Sequence, residues 1–362
     1  MHRVDELASC DIGPSGLLRI SGIKERYQRP GYLEALDRTT LWYDALATDK
    51  STILICPKLR NLEAPLRTGV AVDGERVWPR IKRFARHDIV TLPRAGREVS
   101  VTIEGQRFAS AVSAPGRDLF RGSNAALFIS KDNDLGWIDE YIRYHRHFHD
   151  LQSLVVIDNA STAYSAQDLS DCLRDAGLRA SVVLRAPFLY GPRGRRPFAR
   201  TEKFLQTAMF NLVRLRYLAE ARGVLSSDID ELLHTPGVRI FDHVQRGAGF
   251  VVLPKAWRYT EATGPAPQSA HRFKRDDSRD HAPKWAIRPT GPMGRFSWDT
   301  HRLEDFPANG LFRRRFGLFW HCHSTTTGWK EHRLGGKARA LVPDPEMTAA
   351  LGAVFGDATT DL

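Results

Sequence analysis

Apolar segments that alternate with helix-like segments constrain the fold of this chain more than any other feature. Short strands are predicted over residues 125–130, 154–158 and 180–184, and helical patterns fill the intervals between them. Such alternation predicts a parallel sheet in an α/β fold, with ligand contacts at the carboxyl ends of the strands. Polar residues occupy those ends, at 130–132 and 158–162.

A helix predicted over residues 202–222 leads into an acidic motif, Ser-Ser-Asp-Ile-Asp-Glu. Strand alternation would place the carboxylates of Asp228 and Asp230 on one face of an extended segment, with Ile229 on the other. Carboxylate oxygens suit Mg²⁺ or Mn²⁺, and either ion completes its coordination with water or diphosphate oxygens. The motif therefore predicts a divalent metal site on a strand, and Glu231 is a candidate to orient neighbouring groups.

Residues 16–112 differ from the rest, because short apolar or alternating runs are separated by turn residues and no long helical pattern occurs. Strands at this short spacing predict a small all-β sandwich. Nothing in it points to catalysis, so an accessory or acceptor-positioning role is expected. The predicted division is a β-rich domain over 1–113, an α/β domain over 118–340 and a C-terminal tail over 341–362.

The net charge of +11 indicates attraction to polyanions, which include nucleic acid, an anionic membrane surface and phosphorylated small molecules. No basic stripe or binding motif accompanies this charge, so nucleic acid is disfavoured as a partner. The spacing of the four cysteines does not indicate a disulfide framework. The sequence contains no run of about 18 apolar residues, so no membrane-spanning helix is predicted. We therefore expect a cytoplasmic protein with peripheral contact at the inner membrane face.

Residues 125–335 resemble the GT-A glycosyltransferases, above all the bacterial family-2-like and family-92-like groups. The resemblance is carried by Trp-Ile-Asp-Glu-Tyr-Ile-Arg-Tyr-His at 137–145, Ile-Asp-Asn-Ala-Ser-Thr at 157–162 and Asp-Ile-Asp-Glu at 228–231. Two positions depart from the family pattern: Ala163 stands where an aspartate is usual, and the first loop reads Lys-Asp-Asn instead of Lys-Asn-Glu. The resemblance implies a Rossmann-like GT-A domain with a mostly parallel sheet.

The resemblance also implies an activity: metal-dependent, inverting transfer of a sugar from a nucleotide-sugar, with a UDP-sugar favoured. The acceptor would be a glycan, a glycolipid or another surface-polysaccharide precursor. Candidate donor ligands are Ser130, Lys131, Asp132, Asp158, Asn159, Arg200, Gln206, Asp228 and Lys330. Candidate ligands of Mn²⁺ or Mg²⁺ are Asp228, Asp230, His321 and His323, with His301 a further option, and the acceptor-side candidates are Trp257 and Arg258.

Several alternatives remain open. An inverting enzyme needs a carboxylate base beside the acceptor hydroxyl, and no spacing selects one among the acids after the metal motif. Glu231 and Asp277 are the candidates for a catalytic carboxylate. A zinc site at His321, Cys322 and His323 with His332 is disfavoured, because no second pair of ligands has suitable spacing. The rival function is a non-catalytic carbohydrate- or nucleic-acid-binding protein with a transferase-like fold.

Overall fold

The computed structural model describes residues 1–275, 281–327 and 340–356. Short strands and one short helix make up the first part of the described chain: β1 (His2–Asp5), β2 (Cys10–Asp11), β3 (Thr40–Trp42), β4 (Asp44–Ala47), β5 (Thr52–Cys56), α1 (Glu63–Gly69), β6 (Val70–Val72), β7 (Glu75–Arg76), β8 (Arg80–Arg83), β9 (Asp88–Leu92), β10 (Glu98–Ile103) and β11 (Gln106–Ala111).

Longer helices alternate with strands in the rest: β12 (Asn124–Ser130), α2 (Leu135–His149), β13 (Ser153–Asp158), α3 (Ala166–Asp175), β14 (Ala180–Arg185), α4 (Phe204–Arg216), β15 (Gly223–Ser226), β16 (Glu231–His234), α5 (Ile240–His243), β17 (Phe250–Arg258), β18 (Phe273–Lys274), β19 (His281–Ile287), β20 (Leu318–Cys322), β21 (Val342–Pro343) and α6 (Pro345–Phe355). None of the described helices is long and apolar enough to cross a membrane.

A nine-stranded sheet organises the molecule, in the order β1-β14-β13-β12-β15-β19-β17-β20-β16. The strands from β1 to β15 in this order are parallel, whereas β19 is antiparallel to both of its neighbours and β16 is antiparallel to β20. The fold is therefore mixed α/β with a large, mostly parallel sheet, as the alternation of segments predicts.

Both faces of this sheet are covered, which explains why its central strands are apolar throughout. Leu127 of β12 belongs to a core shared with α4, and the adjacent Phe128 belongs to a core shared with α2 and α3. The first core also contains Tyr43, Leu46 and Ile55 from the N-terminal part. Helix α4 thus lies between two layers of strands, and most of its residues are buried.

The N-terminal part contains two four-stranded antiparallel sheets, β4-β5-β9-β8 and β11-β10-β6-β7. The prediction of an all-β unit is not confirmed, because α1 lies within it. In addition, β1 is the edge strand of the large sheet, where Val4 pairs with Val183. The first residues of the chain therefore belong to the large sheet. The domain boundary at residue 113 stays a prediction.

Two further elements differ from their predicted form. The helix predicted over 202–222 ends at Arg216, and Gly223 begins β15 instead of capping the helix. A Cβ at Gly223 would lie 2.9 Å from the Phe241 ring, so close packing under the sheet favours glycine there. The predicted C-terminal tail contains α6, whose Met347 and Leu351 pack with Tyr144 of α2.

Candidate functional site

The carboxyl ends of β12, β13 and β15 border a cavity of about 540 Å³. Such a volume lies in the range of small-molecule sites. The sequence-predicted residues among its lining are Ser130, Lys131, Asn159, Arg200, Gln206, Asp228, Asp230, His301 and His321. The structure therefore brings together, at one place, candidates that are almost 200 residues apart in the chain.

Neutral hydrogen bonds shape the cavity where β12 and β13 end. The side-chain Nδ2 of Asn159 donates to the carbonyl oxygens of Ala186 and Phe188, both at 2.8 Å. These bonds hold the segment that carries Leu189 and Tyr190 against the cavity. The side chain of Asn133 donates to Ser130 Oγ at 2.8 Å. These bonds form a neutral frame beside the side chains of Leu189 and Tyr190.

Asp132 and Asp158, which the resemblance places among the donor ligands, do not line this cavity. The Asp132 carboxylate accepts the backbone N–H groups of Thr162 and Ala163, and Asp158 accepts that of Ser161. Burial favours a raised pKa for Asp132, but the two backbone donors outweigh it and the pKa is lowered. Both aspartates stabilise the turn beside the cavity.

Asp228 and Asp230 lie in a turn between β15 and β16, so the prediction that they alternate along a strand is wrong. The Asp228 backbone N–H donates to Glu231 Oε2 at 2.9 Å, and the Glu231 N–H donates to the Asp228 carbonyl at 3.0 Å. These bonds close the turn around buried Ile229 and leave both aspartates at the cavity wall.

Two buried lysines neutralise most of this acidic turn. Lys284 Nζ lies 2.9 Å from Asp228 Oδ1 and 3.4 Å from Glu231 Oε2, and Lys255 Nζ donates to Glu231 Oε1 at 2.6 Å. Burial opposes ionisation of Asp228, but Lys284 outweighs it and holds the pKa of Asp228 well below its usual range. The carboxylates raise the pKa of Lys284 in turn, against the effect of its burial. Asp228 and Lys284 are therefore both charged at neutral pH.

The position of the Glu231 side chain does not suit a catalytic carboxylate. Its side chain is fully buried between Lys255 and Lys284 and does not line the cavity. A general base must come within hydrogen-bond reach of the acceptor proton, and this carboxylate faces the protein interior. Asp277, the other candidate, and Lys330 lie outside the residues that the structure describes.

His321 reaches the acidic turn from β20, which pairs with β16 so that His321 lies opposite Glu231. Its Nε2 lies 2.9 Å from Asp230 Oδ2, and the Trp257 ring stacks on it at 3.6 Å between centroids. Burial lowers the pKa of His321 even though Asp230 opposes the shift, which favours the neutral imidazole that metal ions bind.

The donor atoms of Asp230, Glu231 and His321 lie within 4.8 Å of one another, close enough for a single metal ion. Because Glu231 is held by the lysines, Asp230 and His321 are the better ligands, and this carboxylate–imidazole pair fits a divalent transition metal. His323 is outside the group; its ring centroid lies 5.2 Å from that of Tyr259 and 5.4 Å from that of Trp257.

Neither of the acceptor-side candidates lines the cavity. Trp257 does not line the cavity; it fixes the orientation of His321 by stacking. Arg258 is buried, and its Nε lies 2.5 Å from Asp344 Oδ2, just before α6. Both residues therefore support the wall, and neither is placed to touch a ligand in this cavity.

Several lining residues were missed by the sequence reasoning: Arg86, Asn133, Lys203, Lys255, Thr300, Thr325 and Thr326. Lys255 had a usable signal, since a lysine inside an apolar strand must be paired when it is buried. Arg86 had none. It enters from the turn between β8 and β9, where it pairs with Asp299, while Lys82 pairs with Asp305 at 2.7 Å.

The sequence matches no family model and no curated protein. Among solved structures, the chain is similar to Staphylococcus aureus TarS 1–349 in complex with UDP, with 18% sequence identity and a TM-score of 0.28. The alignment covers 46% of this chain and 46% of that chain, so it spans about half of each. The case for the function of this chain therefore rests on its own cavity.

Proposed function

We propose that this chain is a glycosyltransferase that binds a nucleotide-sugar with the diphosphate beside Asp228, Asp230 and His321. The observation that carries the proposal is the cavity at the carboxyl ends of the parallel strands, where this acidic turn meets basic side chains. Departure of a nucleoside diphosphate concentrates negative charge on the leaving group, which cations must stabilise. Lys131, Arg200, Lys203 and Lys255 line the same cavity.

The nucleoside would occupy the neutral end of the cavity, where Asn133 and Asn159 hold the frame. Backbone groups near Ser130 and the apolar segment 188–190 suit a planar base and a ribose. A UDP-sugar is the donor that we favour. Transfer with inversion to a glycan or glycolipid, at an anionic membrane surface, is the corresponding acceptor proposal.

A divalent ion would be held by Asp230 and His321, and Asp228 would interact with it through water. One carboxylate and one imidazole favour Mn²⁺ over Mg²⁺, because Mg²⁺ prefers oxygen ligands. When bound, the ion would neutralise charge on the diphosphate. The protein itself orients His321 through Trp257 and keeps the acidic turn closed through Glu231.

The test is a screen of nucleotide-sugars with Mn²⁺ that measures released nucleoside diphosphate, followed by calorimetry of the best donor. Asp230→Ala should weaken Mn²⁺-dependent donor binding by about tenfold or more, as expected for loss of a metal ligand. Asp171→Ala, on the exposed side of α3, is the matched control. Donor binding that responds to Mn²⁺ equally in Asp230→Ala and in wild type would contradict the metal assignment, and binding without turnover would favour the non-catalytic alternative.

A further inference from the structure

We infer that Lys255 is a diphosphate-binding residue, a cation built into the protein that contacts the ligand whether or not a metal ion is present. The inference rests on the proposed function and adds a specific residue to it. It starts from the position of Lys255 on β17, where the side chain is buried yet lines the cavity with Asp228, Asp230 and His321.

Glu231 fixes this ammonium group in place. Its Oε1 accepts from Lys255 Nζ at 2.6 Å, while its Oε2 accepts the Asp228 N–H at 2.9 Å. An ammonium group has three donors, and Glu231 takes one of them, so further donors remain for a ligand in the cavity. A lysine oriented by a buried carboxylate loses little side-chain entropy when it binds an anion.

The charge of the cluster supports the same conclusion. Asp228, Asp230 and Glu231 are three carboxylates, and a single divalent ion beside them would still leave the group negative and repel a diphosphate. Lys255 and Lys284 change this outcome, because two ammonium groups leave one excess negative charge among these five side chains. One divalent ion then makes the site positive, as a diphosphate requires.

Lys255, and not Lys284, is placed to touch the ligand. Lys284 is completely buried, lies behind Asp228 and does not line the cavity. We therefore assign Lys284 to positioning of the acidic turn, and Lys255 to direct contact with the phosphate oxygens.

The experiment compares two variants that both lack the ion pair. Glu231→Gln keeps the Lys255 ammonium, whereas Glu231→Gln with Lys255→Met removes it and avoids an unpaired buried carboxylate. UDP and inorganic pyrophosphate are titrated into each by calorimetry, in EDTA and in Mn²⁺. A charge-assisted hydrogen bond corresponds to about a tenfold to hundredfold change in affinity. The double variant should therefore bind both probes more weakly than Glu231→Gln by this factor, in EDTA as well as in Mn²⁺.

Lys50→Met, at the surface in the turn between β4 and β5, serves as the control for loss of one positive charge. Equal affinity of the two Glu231 variants for pyrophosphate would overturn the inference and assign Lys255 to the fold alone. Failure of the proposed function looks different, because the wild-type protein would then bind neither UDP nor a nucleotide-sugar in Mn²⁺. Circular dichroism confirms that each variant is folded before its titration is interpreted.

Discussion

The two ends of the cavity are built in different ways. At the end proposed to bind the nucleoside, called the nucleoside end, neutral groups form hydrogen bonds: Asn133 to Ser130, and Asn159 to the segment after β14. At the proposed diphosphate end, ionisable side chains from separate strands meet: Lys255 from β17, Lys284 from β19 and His321 from β20, all around the turn after β15.

This difference has an energetic consequence. A neutral hydrogen bond contributes about 1 kcal/mol net, so the loss of one such bond at the nucleoside end costs little stability. Removal of one partner from a buried ion pair leaves an uncompensated charge, which costs several kcal/mol. The diphosphate end should therefore respond to single substitutions more through stability, and the nucleoside end more through affinity.

The largest effect is expected for Glu231→Ala. The substitution leaves Lys255 and Lys284 buried without this carboxylate, and the free energy of unfolding should fall by about 3–5 kcal/mol in urea titrations. Glu98→Ala, which breaks an exposed pair with Arg107, should cost less than about 1 kcal/mol. Equal losses in the two variants would show that the buried ion pairs of Glu231 contribute no more to stability than an exposed pair.

Asn159→Ala should cost about 1–3 kcal/mol, because the carbonyl oxygens of Ala186 and Phe188 lose a buried donor. The segment carrying Leu189 and Tyr190 would loosen, so UDP affinity should fall while pyrophosphate affinity stays unchanged. Asn61→Ala, which removes a surface bond to the Leu18 carbonyl, is the control for the stability measurement. A parallel loss of pyrophosphate binding would mean that the two ends are not separable.

Beneath the diphosphate end, His145 of α2 is a buried neutral base. Its Nδ1 donates to the Tyr141 carbonyl at 2.8 Å and its Nε2 accepts the Leu233 N–H at 3.2 Å, while burial lowers its pKa to about 3. Between pH 6.5 and about 4 the unfolded chain binds a proton that the folded chain refuses, so stability falls as pH falls.

For His145 this loss amounts to at most about 1.4 kcal/mol for each pH unit. His145→Gln should therefore show a shallower decline of unfolding free energy between pH 6.5 and 4 than wild type. His147→Gln, on the exposed face of the same helix, should keep the wild-type slope. An unchanged slope in His145→Gln would show that other groups dominate the acid response.

The smallest effect is expected for Arg86→Ala, which tests whether the N-terminal strands take part in the site. Arg86 lines the cavity but also pairs with Asp299, so its loss should weaken donor binding by less than about tenfold, and less again at high salt. Arg83→Ala, at the end of the adjacent strand β8 and paired with Glu63, should leave affinity unchanged. Identical donor affinity in Arg86→Ala and wild type would confine the site to the α/β part.

Much of the parallel half could be predicted from sequence, because β12, β13 and β14 are each followed by a helix and this order of elements nearly dictates the sheet. Ser130 and Asn159 could be placed at the same edge for that reason. The strand assignment of Asp228 and Asp230 failed because the hydrogen bonds between Asp228 and Glu231 favour a turn, which residue alternation does not reveal.

The sequence by itself determined the strand–helix order, the apolar core and the position of an acidic motif after a buried strand. Only the tertiary structure decided which basic residues and which histidine meet that motif. Lys255, Lys284 and His321 arrive through antiparallel and mixed pairings whose register depends on distant strands, such as His321 opposite Glu231. A one-residue shift in such a pairing would turn each of these side chains to the other face of the sheet, so no local pattern can specify the diphosphate end.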